Sequence, residues 1–191
     1  MQPDVALKNG GGIRATITGP TITRLVVDTA LAFDNQISVV ELTGDELIAT
    51  MENAVSRVPA ADGRFPQVAG MVLEYDPSRE GISDQASLDT PSRIRSLVVT
   101  RVDGSEDVVI SDYEAQGDLS RTFVLATNNF LLTGGDGYQS LSAASEARGS
   151  VTTEMGERQV LVDYITEVLD GAVELTEPFA DPRITAVGME E

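Results

Sequence analysis

The sequence contains neither histidine nor cysteine among its 191 residues. Without histidine, the chain lacks the commonest general base and the commonest metal ligand of proteins. Without cysteine, it has no disulfide, no thiol nucleophile and no thiolate to hold a metal ion. These absences argue against a Ser-His-Asp hydrolase and against a metallohydrolase that is complete within this chain. We therefore expect no metal site and no catalytic group here.

Basic charge is also scarce, because one lysine and twelve arginines face 31 acidic residues and leave a net charge of -18. A surface this acidic repels nucleic-acid polymers and anionic membranes, so neither is expected as a partner. No apolar run approaches the ~18 residues of a membrane helix, and residues 1–4 begin no export signal. An acid-rich, lysine-poor surface suits a salty or extracytoplasmic setting.

The length and a hydrophobic fraction of 41% predict one α+β domain over residues 1–191. Apolar and β-branched runs predict strands, whereas apolar residues at helical spacing predict helices. The predicted strands are Val5–Lys8, Ile37–Leu42, Val68–Tyr75, Ile94–Val102, Asp107–Ile110 and Thr122–Thr127. The predicted helices begin at Thr23, at the capping box of Thr43 and Glu46, and shortly before Val160, and Gly171 is placed to end the last one.

Helix 23–31 is expected to turn one face to the core through Leu25, Val26, Thr29 and Ala30. The segment 143–153 is small and polar, so it is expected to be exposed. The polar, turn-rich segment 76–91 is expected to be a surface excursion.

Three consecutive glycines, Gly10–Gly12, stand between Asn9 and Arg14. Glycine lets another group approach the backbone closely. Asn9 can both donate and accept hydrogen bonds, and Arg14 offers a planar cationic fork. The motif therefore indicates either a ligand loop or a flexible turn with a solvated arginine.

A second glycine-rich stretch, residues 128–138, follows the last predicted strand. Phe130 precedes Gly134 and Gly135, and Asp136 is placed to accept hydrogen bonds from a pair of ligand hydroxyls. The alternative is a tight turn whose aspartate caps its own backbone. Phe33 is open to two interpretations as well, as a core residue or as a ring offered at a loop.

Taken in order, the motifs resemble the C-terminal, substrate-binding domain of the 5'-nucleotidase family, which includes UDP-sugar hydrolases and cell-surface nucleotidases. The segments that carry the resemblance are Asn9–Arg14, Phe33, Phe65–Gly70, Asn129–Phe130 and Gly134–Tyr138. It extends from Asp4 to about Ile184 and implies a four-layered α/β/β/α domain with mixed sheets. It also implies a role in nucleotide catabolism and a periplasmic or extracellular location.

The resemblance implies that a nucleotide base lies between the rings of Phe33 and Phe130 and that Asp136 binds the ribose hydroxyls. Asn9 is implied near the base and Arg14 towards the ribose. The remaining implied substrate-binding residues are glycines that give clearance, namely Gly12, Gly134 and Gly135.

The chemistry of the family lies in an N-terminal metallophosphatase domain with two divalent metal ions, which is the partner in cis that the resemblance implies. None of those metal ligands exists in this chain. In the family, an interdomain helix and a further substrate-contacting arginine normally lie before the part that this chain resembles. We therefore expect binding without hydrolysis by this chain alone, and an exposed apolar edge near its N-terminus. The alternatives are family substrates such as 2',3'-cyclic nucleotides, UDP-sugars or thiosulfate esters, and a non-catalytic binding or scaffold domain.

Overall fold

Two five-stranded mixed sheets form the framework of the domain, and the computed structural model describes residues 2–174 and 182–188. The strands are β1 (Val5–Asn9), β2 (Gln36–Thr43), β3 (Pro66–Ala69), β4 (Met71–Tyr75), β5 (Ile94–Thr100), β6 (Glu106–Ser111), β7 (Glu114–Ala115), β8 (Thr122–Asn128), β9 (Ser150–Gly156) and β10 (Ile184–Ala186). The first sheet has the order β3-β1-β8-β2-β9, and the second has the order β10-β4-β5-β6-β7. In each sheet one neighbouring pair is parallel, β1 with β8 and β10 with β4.

The helices are α1 (Arg24–Ala30), α2 (Gly44–Val55), α3 (Asn129–Leu132), α4 (Gln139–Arg148) and α5 (Glu157–Asp163). A π-helical turn, Tyr164–Val168, continues α5. No helix in the described ranges is both long and apolar enough to cross a bilayer.

One apolar cluster joins both sheets to α2, which contacts β2 and β8 of the first sheet and β6 of the second. The helix begins as predicted, because Glu46 reaches back and accepts a hydrogen bond from the Thr43 backbone at 2.8 Å. Its buried Glu52 accepts hydrogen bonds from three successive backbone N–H groups, those of residues 92–94, at 2.7–3.1 Å. Burial raises the pKa of Glu52, and these N–H groups compensate its charge in part. The contact fixes α2 to the start of β5.

The segment 68–75 is two strands, whereas the sequence pattern predicted one. The chain turns at Gly70, where φ is +74°, so that β3 joins the first sheet and β4 joins the second. The residues on both sides of this turn are apolar, so the hydrophobic pattern continues across it and does not mark where the chain passes from one sheet to the other. In contrast, the turn residues Asp103–Ser105 predict a hairpin between the strands on either side of them, and the antiparallel β5–β6 pair confirms it.

One predicted surface is wrong, and another is confirmed over most of its length. Helix α1 has the predicted N-cap, Thr23, but it buries Val27 and Ala30 and leaves Leu25 exposed, because α1 packs with α5 rather than into the main core. The segment 143–153 contains the end of α4 and the start of β9, and it is exposed over residues 146–152, whereas Ala144 is buried. The acidic end of the chain, residues 189–191, lies outside the described residues.

The last helix is confirmed in position, and Gly171 with φ +77° donates a hydrogen bond to the carbonyl of Ile165 at its end. Its apolar stripe is only partly covered, since Tyr164 is 50% exposed. This stripe borders an open groove of about 1280 Å³ whose floor includes Ala6 and Ala126 of β1 and β8. The α+β class with two mixed sheets and helices packed on them is confirmed.

Candidate functional site

A cavity of about 260 Å³ lies at one edge of the first sheet. Strands β1 and β8 are parallel neighbours, so their carboxyl ends, Asn9 and Asn128, meet at that edge. Strand β2 is antiparallel to β8, and it therefore begins at the same edge, with Ile37 paired to Asn128. This topology brings the loop before β2 and the loops after β1 and β8 together. The residues that line the cavity are Asn9, Gly11, Gly12, Arg14, Phe33, Asn35, Gly63, Phe130 and Asp136.

The three glycines after β1 form a tight 3-10 turn. The turn packs on the backbone of the neighbouring loop, because Gly10 donates to the carbonyl of Phe65 at 2.7 Å and Gly11 donates to that of Gly63 at 2.8 Å. A Cβ on Gly12 would stand 2.6 Å from Lys8 Nζ and 3.0 Å from Asn9 Oδ1. A larger residue at this position would displace the flexible end of Lys8 and crowd the buried Asn9 side chain.

Asp136 is the central carboxylate of the cavity. Asn9 Nδ2 donates to its Oδ2 at 2.7 Å. The backbone of Asp136 is left-handed, with φ 54° and ψ 26°, and Asn53 Nδ2 donates to its carbonyl at 3.2 Å. Aspartate tolerates this conformation better than most residues do. No described residue donates a hydrogen bond to the second carboxylate oxygen, Oδ1, and Asp136 lines the cavity.

Two half-exposed phenylalanines border the same cavity, Phe33 at 50% exposure and Phe130 at 43%. Phe130 lies on α3, whose N-terminus is capped by the Asn128 side chain, which accepts from the Leu131 backbone at 2.9 Å. Gly135 lies under the Phe130 ring, where a Cβ would come within 2.5 Å of Cζ. Apolar rings left open beside a carboxylate are suited to stack on a planar ligand with polar substituents.

The Phe33 loop is held from outside by α5. Arg158 donates to the carbonyls of Leu31 and Ala32 at 2.7 and 3.0 Å. The backbone N–H of Glu157 donates to the carbonyl of Asn35 at 3.0 Å. Both sides of Phe33 are therefore tied to consecutive residues of one helix.

Arg14 is exposed at the rim of the cavity. Its Nη1 donates to the carbonyl of Gly11 at 3.1 Å, and its guanidinium carbon lies 6.0 Å from the centroid of the Phe33 ring. A guanidinium at this distance adds a weak attraction to the ring face. The arginine is available to contact an anionic or hydroxyl group at the cavity mouth.

Of the eight residues predicted from the sequence, six line the cavity, and Gly134 and Gly135 do not. These two glycines lie behind it, Gly134 with φ +87° at the end of α3 and Gly135 against the ring. Sequence reasoning missed Gly11, Asn35 and Gly63 as site residues, although Gly11 lies within the Asn9–Arg14 motif. Asn35 follows Phe33 by two residues in a polar turn, which is a weak signal, and Gly63 is distant in sequence from every other lining residue.

The glycine-rich loop is anchored from below by Tyr138. This side chain is fully buried, and its hydroxyl donates to the carbonyl of Arg64 at 2.6 Å. Burial raises the pKa of Tyr138 well above its usual value, so the phenol stays neutral. Within the described ranges, no group of three or more histidine, cysteine or acidic side chains is placed to hold a metal ion.

The family model described as "5'-nucleotidase, C-terminal domain" matches residues 1–143. The trifunctional nucleotide phosphoesterase protein YfkN of Bacillus subtilis (strain 168) is 30% identical over 185 residues, which cover 96% of this chain and 11% of that protein. The structure of a 5'-nucleotidase precursor from Thermus thermophilus superposes with a TM-score of 0.77 and 32% identity, and it covers 98% of this chain and 32% of that one.

The NAD nucleotidase of Haemophilus influenzae has the same fold, with a TM-score of 0.73 at 19% identity over 96% of this chain and 30% of that one. The chain thus spans less than half of the length of the relatives that it matches here. The match of the family model covers most of the chain and includes every residue of the cavity. The chain therefore belongs to the 5'-nucleotidase C-terminal domain family.

Proposed function

We propose that this chain is a nucleotide- and nucleoside-recognition domain. The base lies between the rings of Phe33 and Phe130, and the ribose hydroxyls donate to Asp136. Asn9 contributes near the base, and Arg14 contributes on the ribose side. The observation that carries the proposal is the opening of two half-exposed phenylalanines and one carboxylate into a single cavity.

The physical chemistry of the cavity favours a base-bearing ligand. Stacking of a base on an aromatic side chain contributes roughly 1–3 kcal/mol and tolerates different bases. A carboxylate accepts from two neighbouring hydroxyls, which a ribose offers and a thiosulfate ester does not. The ring pair thus favours nucleotides over thiosulfate carriers within the family. UDP-sugars keep both free ribose hydroxyls, whereas 2',3'-cyclic nucleotides have both esterified and would offer the site only their base.

Hydrolysis is proposed to take place elsewhere, on two divalent metal ions of an N-terminal metallophosphatase domain in cis. Two metals would generate the attacking water and neutralise the phosphate. Residues 1–191 are then one substrate-binding domain that presents the nucleotide. A periplasmic or extracellular setting is proposed because the chain is acid-rich and poor in lysine.

Isothermal titration of the chain with adenosine and with AMP tests the proposal. Phe33→Ala and Phe130→Ala should each weaken adenosine binding about fivefold or more, because each removes one stacking surface. Tyr164→Ala is the matched control, since Tyr164 is also 50% exposed and lies outside the cavity. Phosphate release from AMP should stay at the background rate with added divalent metal. A parent chain that gives no binding heat, or ring variants that bind as the parent does, would refute the proposal.

A further inference from the structure

Two buried polar side chains behind the cavity, Asn128 and Glu157, contact its residues without lining it. Asn128 is 1% exposed and Glu157 is 9% exposed. A buried amide and a buried carboxylate are costly unless hydrogen-bonded, so their partners define what they do. Their hydrogen bonds form a connected series from the N-terminus of α3 to the carboxylate of Asp136.

The orientation of the Asn128 amide is fixed by the end of α3. The Leu131 N–H can only donate, so the atom of Asn128 that faces it at 2.9 Å is the oxygen, Oδ1. The nitrogen, Nδ2, then points the other way with two hydrogens. One is donated to Glu157 Oε1 at 3.1 Å, and the other is donated to Asn9 Oδ1 at 3.2 Å.

The orientation of the Asn9 amide follows from that of Asn128. Because Asn9 Oδ1 receives the hydrogen from Asn128, its Nδ2 faces Asp136 and donates to Oδ2 at 2.7 Å. A reversed Asn9 amide would put an oxygen against the carboxylate and a hydrogen-bearing nitrogen against the nitrogen of Asn128. The hydrogen bond to Asn128 and the hydrogen bond to Asp136 therefore require the same orientation of the Asn9 amide.

Glu157 anchors this arrangement and extends it to the other wall of the cavity. Its Oε1 also accepts from Lys8 Nζ at 2.8 Å, and its Oε2 accepts from Asn35 Nδ2 at 3.2 Å. Asn35 lines the cavity beside Phe33. One carboxylate thus joins the Phe33 loop to the residues that hold Asp136.

We propose that Asn128, anchored by Glu157, is a positioning residue that determines which atoms of the ribose site donate hydrogen bonds and which accept them. It holds the Asn9 amide so that Asn9 donates to Asp136 Oδ2 and leaves Oδ1 for the ligand hydroxyls. This inference rests on the proposed function. It adds two residues that touch no ligand and yet decide which atoms the ribose meets.

Asn128→Asp tests the inference with almost no change of shape. One oxygen of the new carboxylate still accepts from Leu131, so the α3 cap is kept. The other oxygen has no hydrogen for Asn9, whose amide must turn and present its oxygen to Asp136. Adenosine affinity should fall about tenfold or more, whereas affinity for 2',3'-dideoxyadenosine, which lacks both hydroxyls, should change less than about twofold.

The double variant Asn128→Asp with Glu157→Gln separates positioning from stability. The glutamine amide can donate to the new carboxylate and removes the repulsion between two buried acids, although Lys8 loses its acceptor at residue 157. Part of the melting temperature that Asn128→Asp loses should therefore be restored. Asn9 still receives no hydrogen, so the loss of adenosine affinity should persist. Gln2→Glu is the charge-matched control for the single variant Asn128→Asp, because it too adds one negative charge, and Gln2 is exposed and precedes β1 at the end opposite to Asn9.

Equal weakening of both ligands, unchanged adenosine binding, or recovery of adenosine affinity in the double variant would overturn the inference alone. A parent chain that binds no nucleoside would instead overturn the proposed function and this inference with it. The parent offers a check that needs no variant and no ligand. In its NMR spectrum the side-chain amide protons of Asn9 and Asn128 should exchange slowly with solvent, and fast exchange would contradict the arrangement.

Discussion

Asp136 adopts a left-handed backbone conformation that few non-glycine residues adopt. The cost is kept low because the short side chain of an aspartate or asparagine tolerates this region. Such a conformation at a cavity is a reason to examine the residue for function. It also decides which substitution is informative, since alanine would add backbone strain to any loss of contact.

Asp136→Asn is therefore the cleaner variant. It keeps the backbone conformation but replaces a charged acceptor for the ribose, and hydrogen bonds to charged groups contribute about 1.5–3 kcal/mol. Adenosine affinity should fall about tenfold or more while the melting temperature stays close to that of the parent. Titration and thermal unfolding measure the two. Asp112→Asn is the matched control, since exposed Asp112 has φ 49° and lies outside the cavity; equal affinities in both variants would count against a ribose role.

At the scale of elements, one ion cluster ties the two sheets together. Asp107 of β6 accepts from Arg101, which follows β5, at 2.7 Å and from Arg121, which precedes β8, at 3.0 Å. Arg101 also donates to the carbonyl of Thr122 at 2.9 Å. Burial raises the pKa of Asp107, but the two guanidinium groups outweigh it and hold that pKa below its usual value.

A lowered folded-state pKa means that the unfolded chain binds the proton more readily. The stability that Asp107 contributes is then present above its ordinary pKa and is lost as the pH falls through the folded-state pKa. Asp107→Asn should lower the free energy of unfolding by about 1–2 kcal/mol at neutral pH. This difference in stability should vanish as the pH falls through the folded-state pKa, which lies below the ordinary value of an aspartate carboxyl.

Urea unfolding at a series of pH values measures the difference in the free energy of unfolding between the parent and Asp107→Asn. Asp170→Asn, at an exposed position after the last helix, should follow the parent curve throughout. A constant gap between Asp107→Asn and the parent at every pH would show that the carboxylate charge is not what ties the sheets.

The helices and strands also differ in how well residues close in sequence predict them. The capping box of α2 and the β5–β6 hairpin were predictable because each depends on residues close in sequence. The change of sheet at Gly70 was not predictable, because the residues next to it on both sides, Val68–Ala69 and Met71–Leu73, are all apolar. The exposed Leu25 was mispredicted because the partner of α1 is α5, more than a hundred residues away.

At the scale of the whole molecule, the net charge of -18 destabilises the compact folded state. Like charges on one small domain repel one another, and salt screens that repulsion. Salt also weakens attractive surface pairs such as Arg95–Glu74, whose nitrogen and oxygen lie 3.6 Å apart. With 31 acidic against 13 basic residues, the repulsive contribution is the larger one.

The melting temperature should therefore rise when sodium chloride is increased from about 0.05 to about 0.5 M, where the screening length falls to a few ångströms. Thermal unfolding followed by circular dichroism measures the shift. Potassium chloride should give the same rise, because screening depends on ionic charge and concentration. A fall in melting temperature would mean that the surface ion pairs outweigh the net repulsion.

The sequence by itself determined the family, the absence of histidine and cysteine chemistry, and most of the residue types of the proposed base-and-ribose site, because motifs such as Asn9–Arg14 and Gly134–Tyr138 are short and local. Only the tertiary structure decided that the ends of β1 and β8 and the start of β2 meet at one edge and enclose a single cavity. It alone joined Glu157 to Asn128, 29 positions apart in the chain, and Asn128 to Asn9, 119 apart. The physical reason is that a hydrogen bond depends on the positions of two atoms in space, and for distant residues strand order and register set those positions.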